Sequence, residues 1–167
     1  MTGSTRQRNA IAGAIGAGAV IAAAMAIALP EIMHWEGKRN VTYLDIAKVP
    51  TACYGHTGMD VGPTGRRWTD DQCRALLDKD VQAHLQPILN CVPGMVIRPN
   101  QLAAAAVLTF NIGVGGFCRS TVARRWNAGD WRGGCGAFLM WTKAGGRVVP
   151  GLVNRRMAER EICLRGL

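Results

Sequence analysis

Twenty consecutive uncharged residues, Ala10 to Leu29, constrain this 167-residue chain more than anything else in it. As helix they span about 30 Å, the thickness of a bilayer's hydrocarbon core. Pro30 closes the run, and the side-chain charges ahead of it are Arg6 and Arg8. That asymmetry predicts a cytoplasmic N-terminus and export of the rest. The span is diluted, because ten of its residues are Ala and three are Gly. Ile11, Ile15, Val20, Ile21, Ile27 and Leu29 supply most of the insertion drive, about −2 to −4 kcal/mol in all. Three readings follow. One is a signal peptide cleaved after a small-x-small site such as Ala22–Ala24 or Ala26–Ala28. The second is a permanent anchor, and the third is a weak anchor that later leaves the bilayer intact. Length together with dilution favours the third. Small residues four apart, Gly13 with Ala17 and Gly18 with Ala22, also offer a face for another helix.

The net charge of +9 is unevenly spread. Residues 31–117 balance, whereas residues 118–167 set ten bases against Asp130, Glu159 and Glu161. Such a region suits nucleic acid, anionic lipid or bacterial cell wall, or is simply a solvated helical surface. All six cysteines follow residue 52. An even count behind a membrane-targeting segment points to three disulfides made in an oxidising compartment, with the pairing left open. No C-x-x-C pair and no clustered His accompany them, so no metal or cofactor is expected.

Beyond Pro30 the pattern predicts an α+β fold. Pro30 opens a short helix over Glu31–Glu36 that Gly37 stops. Strands at Val41–Leu44 and Thr51–Tyr54 flank a turn over Asp45–Pro50. Thr69 with Gln72 forms a capping box for a helix reaching about Leu89, with Cys73, Leu76, Leu77, Val81 and Leu85 as its apolar stripe. Asn100 caps the apolar helix Gln101–Ile112, and Gly113–Gly116 reads as a loop. Ser120 or Thr121 starts a helix to about Trp126, and Asp130 starts another to about Trp141. A loop at Ala144–Gly146 precedes a last helix over Val153–Leu164. No repeat and no linker divides residues 31–167, so they form one unit behind the segment 1–30.

Hydrolysing a glycoside requires an acid to protonate the leaving oxygen and a carboxylate to activate water or attack. Glu36 ends a helix beside Trp35 and Met33, Asp45 lies in a polar turn, and Thr51 carries a hydroxyl that can hold water. By spacing alone the three are equally a capping Glu, a turn Asp and a strand Thr.

The ordered motifs around them are more specific. Glu36…Asp45…Thr51-x-x-x-Gly55-His56-Thr57-Gly58 resembles the phage-type lysozymes, glycoside hydrolase family 24. The resemblance continues through Asp80, Phe110-Asn111-Ile112-Gly113, Phe117-x-x-Ser120 and Trp141. It ends with Gly145-Gly146 and Gly151-Leu152-x-x-Arg155-Arg156, and so covers essentially all of residues 31–167. It implies a small N-terminal lobe with a short antiparallel sheet, a long connecting helix and a mainly helical C-terminal lobe. It implies a muramidase that cuts the β-1,4 bond between N-acetylmuramic acid and N-acetylglucosamine in peptidoglycan. Glu36 would be the general acid, Asp45 the base or electrostatic partner, and Thr51 the residue that holds water. An inverting course would set the carboxylates about 6.5–9.5 Å apart. Thr57, Phe110 and Ser120 would line the saccharide groove, and His56 would pair with Asp80 as scaffold. Two positions depart from the family: Lys48 stands for a turn glycine and Cys53 for a small residue. With the resemblance in hand, the cysteines are paired as Cys53–Cys73, Cys91–Cys118 and Cys135–Cys163.

The weak anchor is similar to that of the signal-anchor-release endolysins of tailed phages. This implies export by the host secretion machinery, tethering to the host inner membrane through residues 10–29, and release into the periplasm as a monomer. Neither the anchor nor position 51 holds a cysteine, which favours activation by repacking of the freed helix. The competing readings are an inactive wall-binding relative and a cationic protein that permeabilises membranes through residues 118–167. A nucleic-acid partner is not expected of an exported chain.

Overall fold

The computed structural model describes the backbone from Gly3 to Leu167, and side-chain surroundings at Gly16 and from Gly18 onward. The first helix, α1, runs unbroken from Gly3 to Glu36 with Pro30 inside it. This corrects the expected short helix starting at Pro30. A proline in a helix interior costs about 3 kcal/mol, and packing offsets it here. Ala24, Ala28 and Ile32 are fully buried, with Met25 and Leu29 nearly so. These positions recur on one helical face, while Pro30 lies on the exposed side. Residues that read as an anchor are therefore partly core of the folded body, and α1 crosses residue 30 without interruption. The side chains of residues 10–15 and 17, and with them the Gly13/Ala17 pair, lie outside the described residues.

Gly37, at φ 67°, ends α1 in the left-handed conformation that glycine accepts most readily. The chain then forms an antiparallel sheet of β1 (Arg39–Leu44), β2 (Pro50–Cys53) and β3 (His56–Thr57), in that order. Tyr43 stands opposite Thr51, and Thr51 opposite Thr57. Beneath the sheet the buried Thr42 hydroxyl donates to the Val61 carbonyl at 3.1 Å and accepts from the Trp68 indole at 3.0 Å.

Helix α2 (Asp70–Cys91) connects this small lobe to the larger one. Thr69 and Gln72 cap it reciprocally, as their spacing predicts. The Cys53–Cys73 disulfide ties β2 to its first turn.

Helix α3 (Pro99–Cys118) is the centre of the large lobe, with Gln101 to Thr109 buried without exception. It packs against α1, α2 and the last helix. Pro99 takes its first position and Arg98 precedes it. Asn100 is thus not its cap, and its amide instead donates to the Arg165 carbonyl at 3.0 Å. Gly113, at φ 74° and ψ 154°, kinks α3, and the chain resumes as helix to Cys118 where a loop is expected. The buried Phe117 and the Cys91–Cys118 disulfide hold that last turn in place.

Ser120 caps α4 (Thr121–Asn127), and Asp130 caps α5 (Trp131–Gly136). The expected single helix to Trp141 is split, because α5 gives way to a 3-10 turn over Ala137–Met140. Three glycines among the six residues of α5 leave little propensity to extend it. A tight hairpin of β4 (Lys143–Ala144) and β5 (Arg147–Val148) leads into α6 (Pro150–Leu164). Helix α6 starts ahead of the expected Val153, with Pro150 at its first position. Phe117, Trp126 and Phe138 pack together in this lobe, and Cys135–Cys163 joins α5 to α6. The basic region is less basic outside than its composition implies, because Arg155 and Arg156 are buried.

Candidate active site

Glu36 is the last residue of α1, and its side chain is 24% exposed. Arg155 Nη2 of α6 lies 2.8 Å from its Oε1, an ion pair whose approach is off the hydrogen-bonding direction. The helix that buries its apolar stripe in the domain therefore also sets the place of this carboxylate.

Asp45 follows β1 directly. Its Oδ1 accepts from the backbone N–H groups of Ala47 and Val49, both at 2.8 Å. The carboxylate thereby builds the turn that carries it. Lys48 sits in that turn at φ 61°, and Cys53 on the next strand at φ 57°. These two departures from the family are also, among the described residues, the non-glycine residues with positive φ, a conformation that costs an L-residue about 1 kcal/mol.

Thr51 on β2 is 4% exposed, and its hydroxyl donates to the Val49 carbonyl at 3.0 Å. With its proton committed, the oxygen keeps its acceptor capacity for a water. Across β3, Thr57 and Phe110 share a cavity of about 260 Å³ with His56, Asp80 and His84. Ser120 lines a different cavity, of about 270 Å³, together with Arg119, Thr121, Met140 and Trp141. Its buried hydroxyl accepts the Ala123 N–H at 3.1 Å as the cap of α4.

His56 is 6% exposed and held on both sides. Its Nδ1 lies 2.8 Å from Asp80 Oδ2, and its Nε2 lies 3.0 Å from Asp60 Oδ1. Burial alone lowers the imidazole's pKa, but hydrogen bonds to Asp60 and Asp80 outweigh it and the net shift is upward. Asp60 is held down at about 2 by hydrogen bonds from His56 and from Lys79, 3.0 Å away. Both imidazole nitrogens are thus committed to carboxylates, which suits scaffolding rather than proton transfer.

Sequence reasoning missed two members of this region. Asp60 lacks any motif, being brought to His56 only by the bend after β3. Glu159 falls on the face of α6 that carries Ile162 and Cys163, but its charge reads as that of a surface residue. It is in fact fully buried between Arg155 and Arg156.

A small sheet lobe and a helical lobe joined by one long helix, with a carboxylate at the end of the first domain helix and another in the following hairpin, is the architecture of a lysozyme. Residues 33–159 match the phage lysozyme family, and the chain belongs to it. It is a glycoside hydrolase, a muramidase that acts on peptidoglycan. The SAR-endolysin of Enterobacteria phage P21 is 41% identical over 160 residues, covering 95% of this chain and 96% of that one. A mutant of P22 lysozyme superposes with a TM-score of 0.72 at 33% identity, over 82% of this chain and 94% of that one. The active form of the P1 phage endolysin Lyz shares the fold, with a TM-score of 0.74 at 24% identity over 90% and 94% of the two chains.

Proposed function

We propose that the chain is an endolysin that is secreted on its own weak anchor and cuts the host wall after that anchor leaves the bilayer. Glu36 protonates the glycosidic oxygen, Asp45 draws a proton from the attacking water or steadies the developing cation, and Thr51 holds that water. Thr57 and Phe110 line one stretch of the saccharide groove and Ser120 another. Residues 10–29 cross the host inner membrane with the N-terminus in the cytoplasm, brought there by the host secretion machinery. The released enzyme is a periplasmic monomer.

One observation carries this reading: the helix that holds the anchor residues ends on Glu36 and is docked through Ala24, Ala28 and Ile32 into the enzyme's own core. A bilayer and this core compete for the same apolar stripe, so the acid reaches its place only when the core wins. Partly buried Val20, Ile21 and Ile27 extend the contact. At about 1.5–3 kcal/mol for each large apolar side chain buried, a few such residues match the modest drive for membrane insertion. The similarity to SAR-endolysins over nearly the whole chain supports the same reading.

The test is turbidity loss of outer-membrane-stripped cells exposed to wild type and to Glu36→Gln, with the membrane-tethered and soluble fractions assayed separately. Wild type lyses from the soluble fraction, and the variant does not. Equal lysis by both proteins, or full activity in the tethered fraction, overturns the proposal.

A further inference from the structure

Beneath the proposed acid lies a buried ionic network. Arg155 is 5% exposed, and Arg156 and Glu159 are fully buried. Arg155 Nε donates to Glu159 Oε1 at 3.2 Å, and its Nη2 donates to the Val107 carbonyl at 3.3 Å while lying 2.8 Å from Glu36. Arg156 Nη2 donates to the same Glu159 oxygen at 2.7 Å, and its Nη1 donates to Asn111 Oδ1 at 3.1 Å. Glu159 Oε2 and Arg156 Nε are buried without a partner.

Packing does not explain this arrangement. Buried ion sets seldom stabilise a fold more than apolar residues of the same size, and unpartnered buried polar atoms add a cost. Besides the neutral Val107 carbonyl and Asn111 amide of α3, the network reaches one charged group outside α6, the carboxylate of Glu36. We infer that Glu159 is a positioning residue for the wall-cleaving reaction: it fixes the plane of the Arg155 guanidinium against Glu36 and supplies the negative charge that keeps two arginines from acting on that acid unopposed. The inference rests on Glu36 as the acid, which Glu36→Gln tests separately.

The chemistry follows from charge. With Glu159 ionised, two guanidiniums face two carboxylates. Without it, both guanidiniums act on Glu36 alone and favour its anion, the form that has no proton to give. The charged groups facing Glu159 are Arg155 and Arg156 of α6, with Glu36 of α1 beyond Arg155. From α3 come the neutral Asn111 and the Val107 carbonyl. The 3-10 turn over Ala137–Met140 carries no charge, and Arg132 of α5 turns away to the Leu167 carbonyl. Burial pushes the Glu159 carboxyl up to about 7 against the pull of Arg156 and Arg155, so the negative charge that opposes the two guanidiniums is present from about pH 7 upward.

The experiment measures kcat and KM of the full-length soluble protein on purified peptidoglycan across pH, with thermal unfolding of each variant. Glu159→Gln keeps the side chain's size and loses its charge. Its basic limb in kcat, read above about pH 7 where Glu159 is ionised, is expected to move to lower pH by about one unit, with KM within about twofold. Arg156→Met removes a positive charge from the same cluster and is expected to move that limb the other way. Opposite shifts establish the inference. Unchanged profiles, shifts in the same direction, or loss of the folding transition in both variants make the network a piece of the fold and overturn it.

Discussion

An 18-residue stretch of α1 within Gly18–Glu36 and one of α3 within Pro99–Cys118 have the same mean hydropathy, 1.5. Their fates differ, since 56% of the α3 stretch is buried against 28% of the α1 stretch. Ala103 to Leu108 bury every side of α3, as a core helix must. Helix α1 buries one stripe and leaves Ala22, Ala23 and Ala26 to solvent. Average hydropathy does not separate the two; the distribution of the large side chains does. Alanine methyls are apolar enough for hydrocarbon and small enough for water, so α1 has two acceptable surroundings where α3 has one.

The largest expected effect lies at the end of α1. Glu36→Gln lowers the lysis rate by about 10²–10⁴-fold, the usual loss when a general acid is removed, with the unfolding midpoint little changed. Next come truncations in the core. Leu108→Ala in α3 costs about 2–5 kcal/mol in urea unfolding. A pair of additions separates the two faces of α1. Ala28→Leu overpacks the buried side by about 1–3 kcal/mol, so activity of the soluble fraction falls as the membrane-retained share rises. Ala23→Leu, on the exposed side, raises retention alone. Equal soluble activity in these two variants breaks the comparison between the faces.

A smaller effect appears in the pH dependence of unfolding. The folded protein keeps the Glu159 proton up to about 7, whereas the unfolded chain releases it near the ordinary 4.5. The stability linked to this proton is full below 4.5 and is lost as pH rises to about 7. His56, also shifted upward, loses its contribution as pH rises beyond its ordinary 6.5. Asp60 works the other way, losing its contribution as pH falls from 3.8 to about 2. The melting temperature therefore peaks near pH 4–5, and Glu159→Gln flattens the decline up to pH 7. Smallest of all, Lys48→Gly relieves a positive φ and stabilises by up to about 1 kcal/mol, visible as a higher urea midpoint.

What was legible in the sequence was local or carried by motif. The capping box at Thr69 and Gln72 and the N-caps Ser120 and Asp130 depend on neighbours a few residues away, and the structure has them where the spacing puts them. The continuity of α1 through Pro30 was not legible, because it is imposed by contacts with residues some seventy positions on, in α3. Gly113–Gly116 reads as a loop until Phe117 and Cys118 are seen to be anchored. Glu159 shares the helical face of Ile162 and Cys163, but its charge reads as surface, and its burial depends on two arginines turning inward together. Asn100 finds its partner, the Arg165 carbonyl, far along the chain, and Asp60 meets His56 four residues back only because the chain bends after β3.

Pro30 carries a consequence for the journey of α1 between its two surroundings. Its ring has no N–H to give the carbonyl of Ala26, one turn back, and both residues lie on the exposed side of the helix. In water that carbonyl is hydrated at little cost. In hydrocarbon a bare carbonyl costs several kcal/mol, so in the proposed membrane-bound state the proline would work as a float, holding its end of the helix at the bilayer's watery margin. On the proposed release, the end of the helix that carries Glu36 would therefore be the end that leaves the bilayer first.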